Sequence, residues 1–127
     1  MENLFKKAHK MTREIVDKYD DVDYKTQFNL CLDYIIEELN KRVERVTNEI
    51  TSQLLKSYTS TKILRSNIIG TYYKNVKTFI KICWFNIKIH IKIQHGNSYT
   101  TIQRDFKLKE YTRIKEYIGV FTTLNIK

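Results

Sequence analysis

Proline is absent from this chain of 127 residues, and glycine occurs only three times. No stretch therefore has the composition of a flexible or rigid linker between domains. The two cysteines, Cys31 and Cys83, form no CxxC pair, and their expected state is free thiols in a reducing compartment. No apolar run reaches the length of a membrane span. The opening "MENLFKKAHKMTREI" sets lysines where a secretion signal needs an apolar core. A soluble, cytoplasmic protein with no membrane association is the expectation.

The most informative absence concerns charge of one sign. Between Glu49 and Asp105 there is no acidic residue. Residues 1–49 hold 9 Lys/Arg and 11 Asp/Glu, whereas residues 50–127 hold 14 and 3. The net values are −2 and +11. Self-repulsion in the second half is a cost that an anionic partner relieves.

Motifs of catalysis are missing too. There is no GxSxG, no P-loop and no GxGxxG. His9, His90 and His95 lack metal-ligand spacing to one another or to a cysteine. Asp20, Asp21 and Asp23 lack the glycine and distal glutamate of an EF-hand loop and read as a helix-capping turn. A Cys31–His9 nucleophile pair is formally possible, but Cys31 lies beside Phe28, Leu32 and Ile35, and packing is the stronger reading. The expectation is a binding protein, not an enzyme, with no cofactor and no metal.

What is present predicts an α+β fold. Leu4, Ala8, Met11, Ile15 and Tyr19 recur at helical steps over 3–19. Asp20 or Asp23 caps a second helix running from Tyr24 to about Lys56, about 50 Å long. The first helix covers only part of it. Val43, Val46, Ile50 and Leu54 need another partner, either the C-terminal half or a second chain, so a homodimer through residues 43–58 is one expectation.

Residues 62–74 fit a strand and turn as well as a helix, and the spacing of Ile63, Leu64, Ile68 and Tyr72 favours the helix. From Phe85 to Ile93 isoleucine alternates with lysine, histidine and asparagine. "HGNS" (95–98) is a hairpin turn and 99–106 the return strand, giving a β-hairpin over 85–106. Two strands alone are marginal in water, so a third is expected from 74–82. Tyr111, Ile114, Ile118 and Phe121 predict a short C-terminal helix, after which "TTLNIK" adds a strand or frays. The organisation is a helical module, 1–58, with a basic α+β part, 59–127, packed on it as one compact domain.

Cations interleaved with aromatics can follow phosphates and stack bases. The candidate anion- or partner-binding residues are Lys88, His90, Lys92, Arg104, Lys107, Lys109 and Arg113, with Tyr72, Tyr73, Trp84 and Tyr99 supplying aromatic surface in the same half. Two other readings stay open: lysines that keep an isoleucine-rich strand from pairing at its edge, and a surface for an acidic protein. No RNP motif, basic zipper or zinc finger is present.

One resemblance concerns residues 4–38. Lys7-Ala8-His9, Met11-Thr12, Val22-Asp23-Tyr24, Gln27-Phe28 and Cys31-Leu32 resemble an N-terminal helical module of small phage and prophage proteins of low-GC Gram-positive bacteria. It covers under a third of the chain. Such proteins are often accessory factors against host defences, anti-CRISPR proteins among them. The resemblance implies a stoichiometric inhibitor of a host defence protein or nucleoprotein complex. The alternative is a nucleic-acid-binding accessory protein of phage replication or regulation.

Overall fold

The computed structural model describes residues 3–124, with side chains to residue 122. The fold is α+β: two N-terminal helices, five antiparallel strands and a short C-terminal helix. The chain forms two compact units, Met1–Lys41 and Arg42–Lys127, which divide inside the long second helix.

In the first unit, α1 (Leu4–Lys18) begins at Asn3, whose Oδ1 accepts from the Phe5 amide at 2.8 Å. The start of α2 (Tyr24–Leu55) is capped by Asp23, whose carboxylate accepts from the Thr26 amide at 3.0 Å and the Thr26 hydroxyl at 2.8 Å. Of the two expected caps, Asp23 is the one used. These hydrogen bonds favour the ionised form and hold the Asp23 carboxyl below its ordinary value. Ala8, Cys31 and Ile35 form the buried centre, flanked by Leu4, Met11 and Ile15 of α1 and Phe28, Leu32 and Leu39 of α2. Thr12 is also buried, its hydroxyl donating to the Ala8 carbonyl at 2.7 Å. That bond satisfies a polar group that would otherwise be costly to bury.

In the second unit the strands run in sequence order as an antiparallel meander: β1 (Lys62–Arg65), β2 (Ile68–Tyr73), β3 (Val76–Ile82), β4 (Asn86–His95) and β5 (Ser98–Lys107). The expected hairpin and third strand are present. Gly96 takes positive φ in the β4–β5 turn, a conformation glycine adopts without steric cost. The helix favoured for 62–74 is instead the β1–β2 hairpin. Its apolar residues can be read at helical steps, but Ile69, Thr71 and Tyr73 alternate toward the inner face, and Ser66-Asn67 supplies a tight turn. The Asn67 carbonyl and side-chain amide also bond the backbone of Ile82, each at 2.8 Å, which ties this turn to the end of β3.

One face of the sheet is a core. Val76, Ile80 and Ile82 of β3 and Ile87, Ile89, Ile91 and Ile93 of β4 are all buried. Each such isoleucine contributes about 1.5–3 kcal/mol by leaving water. A 3-10 turn (Leu108–Arg113) leads into α3 (Ile114–Leu124), which packs Ile114 and Ile118 on this face. Val46, Ile50 and Leu54 of α2 join the same cluster and are at most 3% exposed. Their partner is thus the chain's own C-terminal half. The stripe that prompted the expectation of a homodimer through 43–58 is already buried within the chain. Thr122–Leu124 end α3, and the rest of the "TTLNIK" segment lies outside the described residues.

Candidate functional site

Among the described residues of this unit, no helix packs on the opposite face of the sheet. Alternation along the strands decides which side chains occupy it. On β3 the buried Val76, Thr78, Ile80 and Ile82 leave Lys77, Phe79 and Lys81 pointing outward. On β4 the buried isoleucines leave Lys88, His90 and Lys92.

Register then sets these residues against one another. Lys77 is directly opposite Lys92, Phe79 opposite His90, and Lys81 opposite Lys88. Adjacent strands are about 5 Å apart and four residues span about 13 Å. The four lysines therefore mark the corners of a narrow rectangle, with an aromatic pair across its middle. Among the described residues no salt bridge neutralises any of the four.

The neighbouring strands extend the pattern. Tyr72 of β2 meets Phe79 edge to face at 6.0 Å, and the Lys62 ammonium of β1 lies 5.8 Å from the Tyr72 ring. On β5, Tyr99 holds the Lys92 ammonium 4.2 Å from its ring centre. Arg65 shares the outward parity through its pairing with Ile68. The sole acid on this face of the sheet is Asp105, opposite Lys88. Ile68, Phe79, Lys81, Lys88, Gln103 and Asp105 surround a depression of about 320 Å³ that His90 also borders.

Of the residues nominated from sequence, Lys88, His90 and Lys92 meet on this face. Lys107 shares its parity at the far end of β5, opposite Asn86, and its backbone amide donates to Glu110 at 3.2 Å. Arg104 does not join them. It pairs with Ile89, which places it on the inner side, where its guanidinium lies 4.9 Å from the Phe106 ring and 5.0 Å from that of Tyr117. Lys109 and Arg113 belong to the 3-10 turn beyond the sheet, and Arg113 pairs with Glu110 at 3.1 Å. Tyr73 also shares the inner parity and packs edge to face on Tyr58, and Trp84 sits in the β3–β4 connection, its carbonyl accepting from Arg42 at 2.7 Å. Lys77, Phe79 and Lys81 were not nominated, although "VKTFIKI" carries the same period-two signal as β4.

His9 and Cys31 lie in the helical unit. His9 stacks on Phe28 at 4.3 Å, and its Nδ1 shares a hydrogen bond of 2.8 Å with the Tyr24 hydroxyl. Cys31 is buried in the helical core. Among the described residues no cluster of three His, Cys, Asp or Glu side chains is arranged to hold a metal. No described helix is long and apolar enough to cross a membrane. Comparison with known proteins returns no matching family model, no matching characterised sequence and no matching solved structure.

Proposed function

We propose that this protein binds single-stranded nucleic acid on the open face of its sheet, by stoichiometric contact and without catalysing a reaction. The observation that carries this reading is the opposed pairs Lys77–Lys92 and Lys81–Lys88 with Phe79 and His90 between them. Like charges set directly opposite on adjacent strands oppose sheet pairing. Lysines that only guarded an edge would sit on the outermost strands, whereas these four occupy β3 and β4, each flanked by a strand on both sides. A phosphate backbone relieves their repulsion, and accessible rings between them offer unpaired bases a stacking surface. Duplex DNA hides its base faces, so a single strand fits this surface better.

The test is an NMR titration of the protein with an oligothymidine strand. Amides of 77–81 and 88–92 are expected to shift first, ahead of those in α1. Shifts confined to the helices, or none at low salt, would contradict the reading.

A second reading is an inhibitor that occupies a nucleic-acid channel or acidic groove of a host defence complex in the bacterial cytoplasm. Besides the resemblance of residues 4–38, it is supported by Leu30 and Tyr34, one helical turn apart on α2 and 55% and 56% exposed. This reading expects the protein to protect phage in a defended strain and to co-purify with a host nuclease. Failure of both would remove it.

A further inference from the structure

The cationic face contains one residue that works against phosphate binding. Asp105 is the only acid among residues 50–109. It borders the depression rather than lying away from it. An ordinary role would be to neutralise Lys88, its cross-strand partner. Yet among the described residues the two form no ion pair.

We propose that the depression is a nucleobase site and that Asp105 makes it prefer guanine. This rests on the reading that the sheet face binds single strands. Phe79 and His90 supply the apolar and aromatic contact for a base, and Lys81 and Lys88 lie at the rim for the adjoining phosphate. The carboxylate of Asp105 offers two acceptor oxygens and no donor. Single-stranded bases are read on their Watson–Crick edges. Guanine presents two adjacent donors there, N1–H and the N2 amino group, which match the two oxygens of a carboxylate. Adenine and cytosine present one amino group beside an acceptor nitrogen. Thymine and uracil present one N–H between two carbonyls, and those carbonyls face the carboxylate unfavourably. Gln103, also at the rim, brings its Nε2 to 3.4 Å from His90 Nδ1 and positions that ring.

The experiment compares an oligothymidine with an alternating thymidine–guanosine strand of equal length at equal low salt, by fluorescence anisotropy. The wild-type protein is expected to bind the guanine-containing strand about tenfold more tightly, as fits one two-bond base contact. Asp105→Asn keeps the shape of the side chain but replaces one acceptor by a donor, so the ratio is expected to fall to about one while both strands still bind. Equal affinities in the wild type, or a preference that survives Asp105→Asn, would overturn the guanine site and leave strand binding standing. Absence of binding to either strand would overturn both.

Discussion

Lys77 and Lys92 lie directly opposite each other on β3 and β4, and four residues along the same ladder Lys81 opposes Lys88. Neither pair has an acid within salt-bridge reach among the described residues. Such pairs destabilise a sheet by a few tenths to about 1 kcal/mol. Lys77→Gln is therefore expected to raise unfolding stability at low salt by about 0.5 kcal/mol in urea denaturation. It should at the same time weaken strand binding. A substitution that lowers both properties would show that the lysines are held for packing rather than for an anion.

Stacking separates from charge at Phe79. Its ring is on the outer face, edge-on to Tyr72 and opposite His90. Phe79→Leu keeps an apolar side chain at the site but removes the flat surface. Affinity for a single strand is expected to fall by about 1–3 kcal/mol, with the salt dependence unchanged. An unchanged affinity would leave only electrostatics in the interface.

Arg104 makes the opposite prediction. On the inner side its guanidinium lies against the Phe106 and Tyr117 rings, which themselves meet edge to face at 5.1 Å. Arg104→Ala is expected to lower stability by about 1 kcal/mol, through the lost cation–π contact and the packing of its stem. The salt dependence of strand binding should remain as in the wild type. A reduced salt slope with unchanged stability would return Arg104 to the interface.

These contrasts show what a linear reading can reach. The isoleucines of β4 alternate so cleanly that strand, face and the outward Lys88, His90 and Lys92 were all legible. The parity of Arg104 was legible too, since 104 shares it with Ile102 and Phe106, but closeness in sequence to other cations obscured it. What could not be read was the register of β3 on β4. The rectangle of lysines depends on how Cys83, Trp84 and Phe85 turn the chain, and the Cys83 amide bonds the Asn86 carbonyl at 2.8 Å to close that turn. The β1–β2 hairpin was hidden for a different reason. Its strands are only 4 and 6 residues long, too short for one periodicity to outweigh another.

Asp23 gives a pH-dependent prediction in the helical unit. Its hydrogen bonds from Thr26 lower its pKa below the unfolded value of 3.8. The capping contribution is therefore present above pH 3.8 and is lost as pH falls through the folded pKa. Asp23→Ala should lower Tm at neutral pH, and the difference from wild type should shrink on acidification below 3.8. Asp23→Asn retains a capping oxygen and should lose less. A pH-independent difference in circular-dichroism melts would contradict this assignment.

The central claim, that opposed lysines on an open sheet face bind a nucleic-acid strand, is tested most directly by the salt dependence of affinity. Each phosphate neutralised on a single strand contributes about −0.7 to the slope of log K against log salt. Contact by all four lysines predicts a slope of about −3, and the double substitution Lys77→Gln and Lys92→Gln reduces its size by about 1.4. A flat response in the wild type, or a slope unaltered by that double substitution, would contradict the account.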